Sequence, residues 1–298
     1  MDRIQSMQVF VRVAELSSFT KAAESLGMPK ASVSAYVQDL ESQVKTRLFH
    51  RTTRTVQLTQ DGISFYERCK DLLSDIEETE SMFQTNSSAI SGRVRIDMPT
   101  RIAKRTIIPN LPQFLEKYPK IEIELSSTDR RVDVIQEGFD CVVRVGTLAD
   151  SELIARPVGE YKIINCVGPS YIEKFGRPKN LADLKDHYLV HYVGVLGSKS
   201  DGFEYLEDGK YKFVKMKGFI TVNNTEAYLS ACLNGLGIVQ IPEAGVKDLL
   251  DSGKLVQVLK KLEAEPMPIS IIYPNRRNLS RRVQIVMDWM AEKIKYSF

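Results

Sequence analysis

The residues best equipped for chemistry in this 298-residue chain form a short polar run near its N-terminus. From Phe19 to Glu41 the sequence reads FTKAAESLGMPKASVSAYVQDLE. Beyond the Gly27-Met28-Pro29 turn come Lys30, Ser32, Ser34, Tyr36 and Gln38, with Ala31 and Ala35 in the same run. Serine hydroxyls and backbone N–H groups at the start of a helix suit phosphate oxygens. Gln38 carries the donor–acceptor pair that reads adenine, and the Tyr36 hydroxyl or ring suits a base or sugar edge. Arg51 and Arg54 lie in the next stretch, placed to approach a nucleic-acid backbone or minor groove. With Lys30, Lys45 and Arg47 they add an attraction that ignores base sequence. The plainer alternative is a helical pair in any small α domain with a solvated basic face.

A second set of residues suits a small molecule. Thr100 and Arg101 follow the apolar run VRIDM, Arg144 sits in CVVRVG, and Asn223, Asn224 and Thr225 open a helical stretch. In open parallel sheets, ligands lie beyond the carboxyl ends of strands and near helix N-termini. Those ends favour a carboxylate, and an arginine fork binds one in two places. Against this, Asn224 and Thr225 are ordinary capping types, Arg101 could face solvent, and Arg144 could pair with Asp140. Tyr192 reads as core edge.

Other chemistries find little support. His187 and His191, four apart in a β-branched and aromatic stretch, read as strand residues about 13 Å apart, too far for one metal ion. Cys69, Cys141, Cys166 and Cys232 form no CxxC pair and read as buried small side chains of a reducing compartment. No GxSxG, GxxxxGK[ST] or GxGxxG motif occurs, so no catalytic set, metal or cofactor is expected. The first twenty residues hold Asp2, Arg3, Arg12 and Glu15, unlike a secretory leader. No apolar run approaches the roughly 18 residues of a membrane span. These observations point to a cytoplasmic protein.

The elements that must hold these residues are legible from spacing and charge. The net charge of +3 divides into +3 for residues 1–60, −5 for 61–91 and +5 for the remainder. Apolar residues at helical spacing predict three short helices in the first segment, and RLFHRTTRTVQLTQDG predicts a hairpin. From Asp61 to about Ala89 a helix of about 40 Å is predicted. Its narrow stripe of Tyr66, Cys69, Leu73, Ile76 and Phe83 suggests a dimer seam, since a helix this polar needs a partner. Packing on its own domain is the alternative. Thereafter strands (VRIDMP, IEIEL, CVVRV, IINCVG, LVHY, FITVN, GIVQIP, PISIIYP) alternate with helices near Ile102–Tyr118, Val132–Glu137, Thr225–Asn234, Glu243–Leu250 and Arg281–Lys295. That order predicts a largely parallel sheet.

The head string, the hairpin string and GRVRIDMP together resemble the LysR-type transcriptional regulators, and the resemblance spans the whole chain. It implies an α+β multidomain protein: a winged helix-turn-helix over 1–60, a linker and dimerisation helix over 61–91, and an effector domain over 92–298. That last part would be a two-lobed α/β domain similar to type 2 periplasmic binding proteins, with lobe I at 92–161 and 269–298 and lobe II at 162–268. It further implies sequence-specific binding to double-stranded promoter DNA, a homodimer or homotetramer, control by a small effector, and RNA polymerase as a candidate partner. The net +5 of the second half agrees with an anionic effector, such as an organic or aromatic acid. One departure stands out. Family recognition helices often carry a basic or amide pair after the Val-Ser step, whereas this chain has Ala35 and Tyr36, which shifts weight to Lys30, Ser34 and Gln38. Two other readings remain: a binding protein or enzyme with an incidental helical head, and a DNA binder that senses no ligand.

Overall fold

Local capping chemistry sets the helix boundaries of the first eighty residues. The computed structural model describes residues 2–51, 56–81, 90–148, 153–274 and 279–296. Helix α1 (Arg3–Leu16) opens on Asp2, whose carboxylate accepts from the Ile4 N–H, and closes on Ser17 in the left-handed region. Ser18 then caps α2 (Phe19–Leu26) by accepting from the Lys21 N–H. Gly27, at φ 62°, ends that helix in a conformation that costs a side-chain-bearing residue energy. Helix α3 (Lys30–Val44) follows directly. Strands β1 (Phe49–Arg51) and β2 (Val56–Leu58) pair antiparallel, Phe49 opposite Leu58. Glu41 fastens this hairpin to α3, its carboxylate accepting from the N–H groups of Leu48 (2.8 Å) and Phe49 (3.2 Å). Helix α4 (Gln60–Ser81) starts on the Thr59 hydroxyl, which accepts from the Gly62 N–H. A Cβ on Gly62 would collide with the Leu48 carbonyl, so the hairpin and α4 can approach only at glycine.

Phe10, Val13, Ala22, Val33, Val37, Leu40, Leu48 and Phe49 form the core of this unit, and Cys69 of α4 is buried with them. Tyr66 and Leu73 pack against the same core. The apolar stripe read as a dimer seam is therefore largely filled by the chain's own head. Among the described residues α4 leaves beyond it a half-buried Ile76 and exposed Ile63 and Leu72, and Phe83 lies outside the described residues.

The chain divides into two compact units, Met1–Arg93 with Tyr118–Glu122, and Val94–Lys117 with Ile123–Phe298. In the second, strand β3 (Ser91–Met98) leads into α5 (Thr100–Ile102), a π-helical turn (Ala103–Ile107) and α6 (Ile108–Lys117). Then come β4 (Lys120–Ser127), β5 (Cys141–Val145) and β6 (Leu153–Tyr161). Next follow β7 (Ile163–Val167), α7 (Pro169–Phe175), β8 (His191–Tyr192), β9 (Phe203–Glu207), β10 (Lys210–Val214) and β11 (Thr221–Val222). The chain continues through α8 (Thr225–Leu233), β12 (Val239–Pro242), α9 (Lys247–Asp251), β13 (Val256–Gln257), β14 (Met267–Pro274) and α10 (Arg281–Lys295).

The sheets are mixed, not largely parallel. A five-stranded sheet has the order β4-β3-β5-β14-β6, and a three-stranded one the order β12-β7-β13. β3 and β5 are parallel, but β14 runs antiparallel to β5 and β6, and β7 is antiparallel to both its neighbours. The reason lies in one crossing point. The chain leaves the larger sheet after Tyr161 and re-enters at Met267, directly opposite Tyr161, so the returning strand must run backwards. The predicted helix at Val132–Glu137 is a series of turns. The Asp133 carboxylate accepts from the Ile135 and Gln136 N–H groups as an N-cap would, but Gly138, at φ 70°, ends the turns at once.

Candidate nucleic-acid interface and ligand cleft

Helix α3 presents an uncapped start. Its N-cap is Pro29, and no side chain bonds to its first N–H groups. Lys30, Ala31 and Gln38 are exposed, while Ser32, Ser34 and Ala35 are half-buried. Val33, Val37 and Leu40 lock the opposite side into the core, so the orientation of α3 is fixed by packing. Tyr36 departs from the reading as a base or sugar contact. Its hydroxyl donates to Gln5 of α1 at 2.8 Å and its ring packs on the core, so it braces two helices. Lys45 and Arg47 are exposed. The backbone of Arg51 lies in β1 opposite Val56, and Arg54 lies outside the described residues.

In the second unit a cleft of about 800 Å³ is lined from both sheets. Arg101, Arg144 and Thr225 line it as the sequence suggested, whereas Thr100, Asn223 and Asn224 do not. Neither arginine is an open fork. Arg101 bonds Glu226 at 2.9 Å and also donates to the Gly245 carbonyl. Arg144 pairs with the wholly buried Asp97 at 2.7 Å, not with Asp140. Nor is the start of α8 open, because Asn224 accepts from the N–H groups of Glu226 (2.9 Å) and Ala227 (3.1 Å).

The residue that organises this corner is one the sequence reading missed. Asp129, just after β4, accepts from the Thr100 N–H at 3.1 Å through one oxygen. Its other oxygen accepts from the Thr225 N–H (2.6 Å) and the Thr225 hydroxyl (2.8 Å). One internal carboxylate thus occupies two backbone starts at which a ligand carboxylate was expected. Lys104 and Arg105 extend the pattern, binding Glu226 at 2.9 Å and Asp248 at 3.0 Å. The Glu226 carboxyl is held below the usual range, first by its bond from Lys104 and then by the Arg101 charge against a burial cost.

The rest of the wall is aromatic and apolar. Tyr192, expected as core edge, lines the cleft, and its ring meets Tyr228 edge-on at 5.4 Å. Burial, then the nearby Asp129, pushes the Tyr192 hydroxyl up to about 12, so it stays a neutral donor. Gln240 also lines the cleft, but its amide is spent on Asn165 and the Glu204 backbone. No signal local in sequence marks these partners, since Asp129 and Thr225 are 96 positions apart.

The histidines and cysteines behave as structural groups. His187 caps a 3-10 turn (Leu181–Asp186) and shares a 3.0 Å hydrogen bond with the Tyr171 hydroxyl; it is not in the predicted strand. Burial lowers its tendency to protonate. All four cysteines are buried and free. Burial pushes the Cys69 and Cys166 thiols up to about 12 and raises those of Cys141 and Cys232 as well, which keeps them from the reactive thiolate form. Among the described residues no cluster fits a metal ion, and no helix is long and apolar enough to cross a membrane.

Comparison with known proteins places this geometry. Residues 4–63 match the family described as bacterial regulatory helix-turn-helix protein, lysR family, and residues 87–295 match the LysR substrate binding domain. The HTH-type transcriptional regulator YhjC of Escherichia coli strain K12 is 46% identical, covering 99% of both chains. An HTH-type transcriptional repressor of Pseudomonas aeruginosa is 35% identical over 98% of this chain and 92% of its own. Among solved structures, CrgA, a LysR-type transcriptional regulator from Neisseria meningitidis, is 26% identical with a TM-score of 0.62, covering 97% of this chain and 98% of that one.

Proposed function

The chain belongs to the LysR family of bacterial helix-turn-helix transcriptional regulators, and from that premise we propose a cytoplasmic regulator that reads promoter DNA through α3. It is a transcriptional regulator with a DNA-binding head and an effector-binding domain, and not an enzyme. The reading of a binding protein or enzyme with an incidental head gives way, because the head itself matches the regulatory family.

The observation that carries the DNA reading is the uncapped start of α3 beside exposed Lys30 and Gln38. Lys30, the N-terminal N–H groups, Ala31 and Ser32 hold phosphate, while Ser34, Ala35 and Gln38 meet base edges. Arg51 and Arg54 add backbone attraction from the hairpin. In our reading residues 1–60 are the reader, 61–91 the connector and 92–298 the sensor, whose second lobe runs from 162 to 268. Leu72 and Ile76 of α4 support pairing of two copies, and pairs of dimers would place several readers on one promoter near RNA polymerase.

A small organic effector in the cleft would shift the balance between two dimer arrangements by binding one more tightly. At long range the sensor's +5 charge favours an anion, but the cleft wall has a different balance. The test is DNA binding by two variants. Gln38→Ala should reorder preference among operator sequences. Arg51→Ala should weaken binding to all DNA and flatten the salt slope by about one. Unchanged ranking and slope in both would remove the assignment of α3 and the hairpin.

A further inference from the structure

We infer that the cleft selects an aromatic molecule whose polar end donates hydrogen bonds, an amine or a carboxamide, and rejects carboxylates. The inference rests on the reading of this cleft as the effector site. Its wall carries Asp129, Asp201, Glu204, Asp248 and Asp251 against Arg101, Arg105, Arg144 and Lys247. Three of those four cations already face carboxylates of the protein: Glu226, Asp248 and Asp97. The remaining one, Lys247, is exposed to solvent. An incoming carboxylate would have to displace anions tethered in place, whose effective concentration a free ligand cannot match. The backbone groups at Thr100 and Thr225 are taken by Asp129 in the same way.

What the wall offers instead is acceptors and rings. Asp201 is exposed and Glu204 half-buried, both on the cleft. Burial, then the Glu265 charge, pushes the Glu204 carboxyl upward, so a donor or cation beside it relieves an unfavourable state. Tyr161, Tyr192, Tyr228, Ile163 and Met267 supply an apolar wall. Phe213 of β10 also lines the cleft with 53% of its surface exposed, a ring face available to stack on a ligand.

The experiment uses the full chain and three fluorescent probes of matched shape: naphthylacetate, naphthylacetamide and naphthylethylamine. Anisotropy titrations at neutral pH should rank the amine and amide at least about tenfold tighter than the carboxylate, the size of one lost charged contact. Met267→Trp, which fills the cleft, should abolish their binding. Glu226→Gln, which removes the carboxylate facing Arg101, should raise naphthylacetate affinity by about tenfold. Equal or tighter binding of naphthylacetate to the unmodified protein overturns the inference alone. If no probe binds, or Met267→Trp changes nothing, the reading of the cleft as the effector site fails as well. Should the Glu226 variant not fold, the ranking on the unmodified protein still decides.

Discussion

Two helix starts in this molecule make the same electrostatic offer and are treated in opposite ways. Helix α3 in the head begins on Pro29 with no side-chain cap and an exposed lysine beside it. Helix α8 in the sensor begins on Asn224, with Asp129 closing the N–H group that Asn224 does not reach. Any helix start carries partial positive charge and N–H donors without a partner inside the helix. The head leaves them for an outside anion, while the sensor supplies its own. An uncapped helix start in a well-packed domain is stability forgone, and here it coincides with the surface proposed to meet DNA. A capped one beside a cleft says that the cleft recognises its ligand by other means.

The largest break in that comparison comes from closing the open end. Lys30→Glu puts an anion where phosphate should sit and should reduce DNA affinity by roughly a hundredfold at fixed low salt, measured by anisotropy with labelled operator. A change below about threefold would take α3's start off the DNA. Opening the closed end should have a smaller effect. Asp129→Ala strips an acceptor from two backbone groups and a hydroxyl, and should cost the sensor about 2 kcal/mol, read as an earlier urea midpoint with DNA affinity retained. An unchanged midpoint would make Asp129 a passive neighbour.

The smallest effect belongs to acid. Glu226 has a lowered carboxyl, so its pairing with Lys104 and Arg101 contributes stability that is complete above the ordinary glutamate value and disappears as pH falls through the depressed one. The side chain is a third exposed, and solvent screening leaves about 0.5 kcal/mol. Glu226→Gln should therefore lose about that much at neutral pH, and the difference from the parent protein should shrink as pH falls below the ordinary glutamate value. A difference that stays constant as pH falls would mean that charge is not what Glu226 contributes.

Sequence and structure agree best where the decisive neighbours are close along the chain. Ser18, Gly27 and the 33-37-40 spacing mark α2 and α3 because caps and stripes act within a turn or two. The run Arg281–Lys295 has the predicted bounds for the same reason. Strand direction is a different matter. Nothing within PISIIYP records that it will lie against Leu153–Tyr161, so a parallel sheet was the natural but mistaken expectation. The β9–β10 hairpin, which carries Phe213, is absent from the predicted strands although the sequence marks it: Asp208-Gly209 makes a tight turn between FEYLE and KYKFV, in which apolar and charged residues alternate. In the cleft, sequence chemistry identified Arg101, Arg144 and Thr225 as lining residues. It could not foresee that each would be engaged by a carboxylate at least 47 positions distant: the partner that sequence suggests for Arg144 is the nearby Asp140, and Arg101 reads as a ligand fork or a solvent-facing side chain.

The pairing of Tyr161 with Met267 has a consequence for how the sensor can be taken apart. Everything from Lys162 to Pro266 leaves and returns through one pair of neighbouring residues about 5 Å apart. That segment is a cassette with both ends at a single port. A short turn spanning Tyr161 and Met267 would restore an ordinary hairpin and leave the five-stranded sheet with every strand in place. Conversely, the excised cassette could be joined end to end and reopened elsewhere, since its termini already touch. The sensor is thus a plug-in architecture, in which one body can be exchanged without renumbering the strand order of the other.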